Sequence, residues 1–491
     1  MIKSISCAAL VFTVTVLSQS LAADGPYLGN GIKSGEPTSD TITLWTRLTA
    51  QPDFKSDGIP WSQESPKKTG EDYVFATPQI PEGHTIDDMA YALPGATGQV
   101  RLNYWPEETS NFSVTTEWET VTAESDFTHH FQLSGLLPNT RYKCIVDARV
   151  PGSNIPSDQL RATFRTAPAP DVAAAVEFVV VTGQEFWRRD DDVNGHKIYP
   201  VMAGLDPNFF VHTGDIVYFD KAGPWSVTKA QARHKWHRMY ALPYQRAFHN
   251  QISSYFLRDD HDTWQNDCWP TMQNKKMGEF TYKEGEDIFF EQVPGPDRTL
   301  PYRTVRWGKD LQIWLVEGRD FRSENDLADG PDKTIWGEKQ KAWFKETVAA
   351  SDATFRILLS PTPIVGPDRE NKSDNHANKA FAHEGKELRE FMAAQKNMIV
   401  ICGDRHWQYA TVDPETGLHE YCSGPTSDKH AGGFSQELRE PMHKYLNVIG
   451  GFLSCTAERR DDNPVLVLRH YNVAGDIVNE DVLTVSALSQ Q

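Results

Sequence analysis

Residues 209–218 read FFVHTGDIVY, an apolar, strand-like run that stops abruptly at a carboxylate and a phenol. The same pattern recurs in residues 255–262, YFLRDDHD, and in residues 398–407, MIVICGDRHW. Charged groups at the end of a buried strand are costly unless they are paired or bind a cation. Three such strand ends in one chain therefore predict that their side chains converge on a metal site.

The polar residues at these strand ends offer carboxylate, phenol and imidazole groups, which suit hard or borderline cations. In open α/β folds, ligands collect outside the carboxyl ends of the strands, which is where these groups fall. A Gly-Asp pair after a strand is usually a turn, and an acidic run is often a solvated loop with a helix cap. The three motifs together indicate a metal site more specifically than any one of them does. The candidate site residues are Asp215, Tyr218, Asp260, His261, Asp404 and His406.

The overall charge limits the classes of partner. The chain has 491 residues and a formal net charge of −18, and it contains no run rich in Lys and Arg. This charge disfavours non-specific binding to nucleic acid or to anionic lipid, so we expect no nucleic-acid-binding module. A small phosphorylated substrate stays compatible with the acidity, because a metal site supplies its own local positive charge.

The first 23 residues have the pattern of a signal peptide. Lys3 supplies a positive charge, residues 8–17 form a short apolar region, and residues 20–23 are small enough for cleavage. The apolar region is too short for a membrane anchor, and no later stretch is long and apolar enough to span a bilayer. We therefore expect an exported, soluble protein in the periplasm or outside the cell.

Five cysteines follow the predicted signal peptide. Their number is odd and their spacing irregular, which does not indicate a disulfide scaffold, although one pair such as Cys422–Cys455 stays open. No CxxC or zinc-finger spacing occurs. The sequence gives no basis for an oligomeric state.

Residues 24–167 read as an all-β domain. Residues 41–48 alternate with the period of two that a half-buried strand requires. Tyr142 follows a Pro-Asn turn, as the tyrosine corner of fibronectin-type sandwiches does. Residues 51–100 lack clear periodicity and read as an insertion, and residues 167–170, APAP, read as a linker. The prediction is an N-terminal fibronectin-like β-sandwich.

Residues 175–487 change character. Buried strands alternate with helix-like segments, for example over 229–248, 337–350 and 379–394, which favours an α/β sheet with helices on its faces. Residues 448–485 return to strand patterning and are expected to complete a sheet edge. We predict one α/β domain over this range.

The order of the motifs resembles that of a known family. Gly-Asp-x-x-Tyr, Asp-Asp-His-Asp and Gly-Asp-Arg-His-Trp, in this order, look like the PhoD family of metallophosphoesterases (alkaline phosphatase D). Residues 31–38 with 44–47 resemble the start of its N-terminal domain, residues 316–322 resemble its arginine-bearing strand end, and residues 336–344 resemble its Leu-Gly-x-x-Gln-x-x-Trp-Leu helix. The likeness extends over roughly residues 27–485.

The resemblance implies a fold and a set of metal ligands. The fold is a four-layer α/β/β/α metallophosphatase core, and the site holds two or more metal ions, with Ca²⁺ and Fe³⁺ the implied species. Asp215 would be the bridging ligand and Tyr218 would bind the ferric ion. The further implied ligands are Asp260, Asp404 and His406.

The resemblance also implies catalytic and substrate-binding roles. His261 would protonate the departing alkoxide, and Arg319 would bind a phosphoryl oxygen through its planar fork. His376 lies in a polar loop, residues 375–378, that could line the substrate pocket; a solvated loop is the alternative.

One departure from the family pattern concerns the first metal motif. The family carries Ser-Cys-Gln at the end of the first strand, where the thiolate binds iron, but residues 181–185 here read VTGQE. Gly183 offers no side-chain ligand. We expect that Gln184, Glu185 or a carbonyl replaces the thiolate, or that one metal position is altered. Oxygen in place of sulfur would favour harder cations, which leaves Mn²⁺ or Zn²⁺ open as well.

The function expected from the sequence is that of an exported metal-dependent phosphoesterase. It would hydrolyse phosphomonoesters, phosphodiesters or both by attack of a metal-bound hydroxide. The alternative is a non-catalytic, secreted metal-binding or adhesion protein on a degenerate phosphatase scaffold. Hydrolysis of another ester, such as a sulfate, is a weaker alternative.

Overall fold

The computed structural model describes residues 25–109 and 112–488, so the predicted signal peptide (residues 1–23) lies outside the described residues. The first ten strands are β1 (Ile32–Gly35), β2 (Ile42–Arg47), β3 (Lys67–Thr69), β4 (Asp72–Val74), β5 (Gly98–Pro106), β6 (Val114–Thr115), β7 (Glu119–Val121), β8 (Thr128–Leu133), β9 (Arg141–Arg149) and β10 (Asp158–Arg165). The others are β11 (Val176–Val181), β12 (Phe209–His212), β13 (Ser254–Phe256), β14 (Arg303–Trp307), β15 (Leu311–Leu315), β16 (Phe355–Ser360), β17 (Met398–Cys402), β18 (Gln408–Val412), β19 (His419–Ser423), β20 (His443–Asn447), β21 (Gly451–Arg460), β22 (Asn463–Asn472) and β23 (Ile477–Thr484). The helices are α1 (Ile198–Gly204), α2 (Lys229–Ala241), α3 (Pro243–His249), α4 (Tyr282–Gln292), α5 (Gly337–Ala350), α6 (Ala382–Ala393) and α7 (Val485–Leu488).

The N-terminal part consists of strands, as its sequence predicts. β5 pairs with β6, β7 and β9, and β9 pairs with β10, while β2 pairs with both β1 and β8 in a second layer. Alternate apolar side chains of the two layers, among them Leu44, Val100 and Val146, form one buried cluster. Tyr142 is buried, and its hydroxyl accepts a hydrogen bond from the Leu137 amide at 2.8 Å, the geometry of a tyrosine corner.

A nine-stranded sheet links this part to the rest of the chain. Its strand order is β23-β22-β21-β11-β12-β13-β1-β2-β8. β1 runs parallel to β13, with Gly35 opposite Ser254, so the N-terminal strands extend the same sheet across the predicted linker. The two predicted domains therefore share a sheet, which their sequences did not indicate.

A second, seven-stranded sheet has the order β14-β15-β16-β17-β19-β18-β20. The apolar cluster between the two sheets includes Val180 and Val211 from one and Ile313 and Ile399 from the other. On the other face of the nine-stranded sheet, alternate residues such as Phe210 pack on helices α1 to α4. On the other face of the seven-stranded sheet, side chains pack on α5 and α6. Both faces of these strands are buried, which explains their continuous apolar runs.

The 51–100 insertion covers helix α2. It contains the β3–β4 hairpin, and its Trp61 indole donates a hydrogen bond to His234 Nε2 at 3.0 Å. Gln79 also donates to the Trp225 carbonyl at 3.0 Å. These contacts tie a segment without clear sequence periodicity to the α/β part of the chain.

Most element predictions hold, with identifiable exceptions. The helix over 337–350 has the predicted bounds, whereas the helix-like 229–248 segment divides into α2 and α3 at Pro243, because proline interrupts a helix. The five cysteines in the described part of the chain are free and buried, so the Cys422–Cys455 pair that the sequence left open does not form. In the same residues, no helix is long and apolar enough to cross a membrane.

Candidate metal centre

The site lies where strand ends of the two sheets meet. β11, β12 and β13 are parallel neighbours, so the residues after them emerge at one edge. β17 brings the third acidic motif to the same place from the seven-stranded sheet. The Thr182 hydroxyl accepts a hydrogen bond from the Asp404 amide at 3.1 Å, which joins the two edges directly.

Two glycines allow this close approach. A Cβ atom on Gly214 would lie 2.6 Å from the Asp259 Cβ, and one on Gly403 would lie 2.6 Å from the Pro361 carbonyl oxygen. The aspartates that follow them, Asp215 and Asp404, have φ of 58° and 63°. Left-handed backbone at a non-glycine residue is uncommon, and aspartate tolerates it better than most. The Gly-Asp pairs of the sequence therefore aim two carboxylates into one space.

One group of ligand atoms surrounds Tyr218. Its hydroxyl donates a hydrogen bond to Asp215 Oδ2 at 3.0 Å and lies 3.2 Å from His406 Nε2. All three side chains come from motifs that the sequence singled out. They offer carboxylate, phenol and imidazole ligands to one cation.

Carboxylates form the rest of the centre around Asp215. Asp215, Asp259 and Asp404 each offer an oxygen within 4.8 Å of the others, and Asp215, Asp260 and His261 do the same with a ring nitrogen. Asp215 belongs to both sets and also touches Tyr218. Its carboxylate is therefore shared by all three groups of potential ligand atoms.

Electrostatics show that the centre needs positive charge. Burial raises the pKa of Asp215 well above its ordinary value, and the neighbouring Asp260 and Asp259 carboxylates raise it further. Burial also raises the pKa of Asp259 to about 6, although Arg319 opposes the shift. The buried oxygens Asp215 Oδ1 and Asp259 Oδ2 lack a hydrogen-bond partner among the described residues. Oxygen-rich sites with unpartnered carboxylates fit metal cations, so these residues suit the ions that the sequence implied.

His261 is paired with a buried carboxylate. Its Nδ1 is hydrogen-bonded to Asp220 Oδ1 at 2.6 Å, and both side chains are buried. Burial lowers the pKa of His261, but Asp220 and Asp260 outweigh that effect, and the net shift is upward. A carboxylate on Nδ1 orients the ring and leaves Nε2 for chemistry.

Asp262 and Arg319 hold the acidic loops in place. Asp262 accepts hydrogen bonds from the Asp259 amide at 2.6 Å and from the Ile216 amide at 2.9 Å, so one buried carboxylate joins two strand ends. Burial raises the pKa of Asp262 to about 8, against the effect of those two amides. Arg319 donates from Nε to Asp259 Oδ1 at 2.7 Å.

The structure does not bring three of the predicted site residues to the positions expected. Arg319 is fully buried and its guanidinium group contacts Asp259, instead of facing an open substrate pocket as we expected. Gln184 faces the core, where its amide oxygen accepts a hydrogen bond from the Tyr199 hydroxyl, instead of facing the carboxylates. His376 is buried and lies 2.9 Å from Glu384 Oε2, instead of in a solvated or substrate-lining loop.

The buried pair of Arg319 and Asp259 leads to a stability prediction. Replacing Arg319 by methionine should lower the free energy of unfolding by about 3–5 kcal/mol, because the charge of Asp259 stays buried without its partner. Urea unfolding of the metal-free protein measures the change. Arg460→Met is the matched control, since the Arg460 side chain is about half exposed and should change stability by less than about 0.5 kcal/mol. A raised KM with unchanged stability would restore the substrate-binding role.

The position of the missing family cysteine faces the Tyr218 group. A Cβ on Gly183 would lie 3.4 Å from His406 Nε2. The Gly183 carbonyl accepts hydrogen bonds from the Thr426 amide and hydroxyl, each at 3.2 Å, and lies 3.1 Å from His430 Nδ1. Glu185, the remaining alternative, is paired with Arg188 at 2.8 Å. Gly183 thus supplies no side-chain ligand at the position beside Tyr218 and His406 where the family has a cysteine.

A third acidic cluster, formed by Asp260, Asp267 and Asp374, lies beside the centre. The Lys372 ammonium group lies 2.5 Å from Asp267 Oδ1 and 3.4 Å from Asp374 Oδ2. The chain thus supplies a cation of its own to this cluster.

Several residues of the centre were not assigned from the sequence. Asp259 and Asp262 stand in the quoted acidic run, and Asp220 lies two residues after Tyr218, but nothing in their spacing separates a ligand from a supporting carboxylate. Asp374 and Lys372 lie in a loop far along the chain. Only the fold shows that they face the same site.

Two solved structures with a similar fold carry the names of phosphatases. A structure described as that of PhoD matches with a TM-score of 0.70 at 17% identity, over 94% of this chain and 89% of that one. The purple acid phosphatase PPD1 from yellow lupin (Lupinus luteus) seeds matches with a TM-score of 0.60 at 13% identity, over 92% of this chain and 74% of that one. These likenesses concern the fold. Together with the acidic centre at its strand ends and the family match below, they place the chain in the class of phosphoester hydrolases.

The chain belongs to the PhoD-like phosphatase family. The model of that family matches residues 178–448, and the model of its N-terminal domain matches residues 15–168. A curated relative, alkaline phosphatase D of Bacillus subtilis (strain 168), is 20% identical over 499 aligned positions, which cover 87% of this chain and 75% of the relative. The resemblance seen in the sequence motifs is confirmed.

Proposed function

We propose that this protein is an exported, metal-dependent phosphoesterase that hydrolyses phosphomonoesters, phosphodiesters or both. The observation that supports this best is that Asp215 belongs to two ligand groups at once, which is the arrangement of a centre with two cations. Export rests on the signal-like residues 1–23. A four-layer α/β/β/α core is supported by the apolar clusters between the sheets and under the helices.

The proposed ligands fall into two positions that share Asp215. Tyr218 and His406 would hold one ion together with it, and Asp259, Asp260 and Asp404 would supply oxygens to the other. Cations bound there would polarise a phosphoryl oxygen and lower the pKa of water. Buried carboxylates and low solvent access strengthen this effect.

The chain's own acid–base residue in this proposal is His261. Its Nε2, kept in orientation by Asp220 on Nδ1, would donate a proton to the departing ester oxygen. Asp262 keeps the two acidic loops in register, and Arg319 keeps Asp259 in place. The non-catalytic alternative is not favoured, because a purely structural metal site needs no histidine paired in this way.

The proposal is tested by ester hydrolysis with and without a chelator. An aryl phosphate monoester and a bis-aryl phosphate diester should both be offered to the purified protein, with an aryl sulfate as the control substrate. Removing the metal ions should lower turnover of the phosphate esters by about 100-fold or more, since Lewis-acid stabilisation is worth several kcal/mol. Adding back Ca²⁺, Mn²⁺, Zn²⁺ or Fe³⁺ singly, with metal analysis, identifies the active ions. Equal turnover of the metal-free protein would reject metal dependence, and preference for the sulfate would reject phosphoester specificity.

A further inference from the structure

We infer that His430 supplies the ligand that replaces the missing cysteine at Gly183. This inference deepens the proposed function and rests on its metal centre. The Tyr218 group consists of Asp215, Tyr218 and His406. We assign its fourth ligand to an imidazole nitrogen in a loop more than two hundred residues after Gly183.

The position of the His430 ring supports this. The ring is buried, and its centroid lies 4.1 Å from that of His406 and 5.3 Å from that of Tyr218. His406 and Tyr218 are two of the three ligands in this group, and their own ligand atoms are 3.2 Å apart. The His430 ring therefore lies beside this group, on the side of Gly183.

The hydrogen bond of His430 sets which nitrogen is available. Nδ1 lies 3.1 Å from the Gly183 carbonyl oxygen, which can only accept, so Nδ1 carries the proton. Nε2 then keeps its lone pair. Metal-binding histidines commonly donate their second nitrogen to a carbonyl or carboxylate in this way, which fixes ring orientation.

The other candidates for the missing ligand already have partners. The Gln184 amide oxygen accepts from Tyr199, the Gly183 carbonyl accepts from Thr426, and Glu185 is paired with Arg188. Among the described residues, His430 Nε2 has no hydrogen-bond partner, and Glu185 Oε2 lies 3.8 Å from it, beyond hydrogen-bond distance. His430 Nε2 is thus an available imidazole nitrogen beside Gly183.

An imidazole in place of a thiolate changes the preferred metal. Imidazole suits zinc, iron, copper and nickel, whereas thiolate selects softer ions. The first position would then bind an ion through one carboxylate, one phenol and two imidazoles. The His430 imidazole would thus compensate for the cysteine ligand that is missing at Gly183.

The experiment compares Co²⁺ binding by the metal-free full chain and by two variants of His430. His430→Asn keeps a donor near the Nδ1 position for the Gly183 carbonyl but removes the Nε2 ligand. His430→Gln places an amide near the Nε2 position. Titration calorimetry and the visible Co²⁺ spectrum are read without any turnover, so a failure of phosphatase activity does not affect the result.

The expected result is that His430→Asn weakens the tighter Co²⁺ step by more than about 100-fold and shifts the visible bands. An outer-shell partner would account for only about 10–100-fold. Thermal unfolding of the metal-free variants checks the fold. Affinity within about tenfold of the original chain, with unchanged bands, would overturn the inference.

A rescue variant separates a ligand from a merely structural histidine. Gly183→Cys combined with His430→Asn places sulfur near His406 and should restore tight Co²⁺ binding with a new thiolate band in the near ultraviolet. Because Gly183 has a φ of 57°, the cysteine will strain the backbone, and its own unfolding curve must be measured. A folded double variant that binds no better than His430→Asn alone would also contradict the inference. If the double variant does not fold, His430→Asn and His430→Gln decide. Tighter Co²⁺ binding by His430→Gln than by His430→Asn supports an Nε2 ligand, and equal Co²⁺ binding by the two variants opposes it.

Discussion

Replacing His261 by asparagine is expected to lower kcat for phosphate esters by about 10²–10⁴-fold, the range that positioned acid–base groups contribute. The ring is fixed by Asp220 at 2.6 Å, and asparagine can keep that contact while removing Nε2. The loss should grow with the pKa of the departing alcohol, because a poor leaving group needs the proton most. Steady-state kinetics on a nitrophenyl ester and an alkyl ester measure this difference.

Metal content distinguishes this role from that of a ligand. His261 also offers a nitrogen within 4.8 Å of Asp215 and Asp260 oxygens, so it could bind an ion instead. A proton donor predicts that His261→Asn keeps the metal content of the original chain. Loss of one equivalent, with equal rate losses on both esters, would assign it as a ligand. Asp220→Asn is the matched control, because it keeps the imidazole of His261. It should lower kcat by a smaller factor than His261→Asn, and this loss should also grow with the pKa of the departing alcohol.

The sequence predicted those parts of the centre that follow a strand directly. Asp215, Tyr218, Asp260, His261, Asp404 and His406 converge because parallel strands end at one edge, and that edge can be read from apolar runs. The glycines before Asp215 and Asp404 were part of the same signal, because they allow the close approach of two loops.

The errors concern polar residues whose partners lie on another element of the fold. Arg319 looked like a substrate-binding arginine, but the fold buries it against Asp259, sixty residues away. His376 looked like a loop residue, yet it pairs with Glu384 under the seven-stranded sheet. Periodicity reports which face of an element is apolar. It does not report which polar side chain meets which, since such pairs depend on tertiary contacts.

The continuity of the nine-stranded sheet was equally inaccessible to sequence reasoning. The Pro-rich linker and the change in patterning near residue 170 are real, but β1 still pairs with β13 across them. Strand pairing depends on contacts between distant parts of the chain, and local composition does not indicate which strands pair. The N-terminal strands are therefore part of the support of the centre, because β13 leads directly into Asp259 and Asp260.

Replacing Asp215 by asparagine should remove activity and stabilise the metal-free protein at the same time. Asp215 is the carboxylate shared by both ligand groups, so the variant should lose both ions and about 10³-fold or more in kcat. In the metal-free chain, however, burial and the neighbouring Asp260 and Asp259 carboxylates raise the pKa of Asp215, so at neutral pH its carboxyl group lowers the stability of the folded state. Asparagine keeps the shape and removes one of the repelling charges, which should raise the free energy of unfolding by about 0.5–2 kcal/mol.

The two opposite effects can be measured on one pair of proteins. In urea unfolding with chelator, the variant should have the higher free energy of unfolding. In saturating metal, the original chain should have the higher value, because only the original chain gains stability from bound ions. Asp126→Asn is the matched control: Asp126 is also buried, but His237 and Arg47 outweigh burial and lower its pKa, so removing its charge should destabilise the chain with and without metal. If Asp215→Asn destabilised the metal-free protein as Asp126→Asn does, Asp215 would be a structural carboxylate and the shared-ligand centre would be wrong. A site that is unstable without its ions and stable with them is what a metal-dependent active centre requires, since the repulsion among its carboxylates is offset only when cations bind.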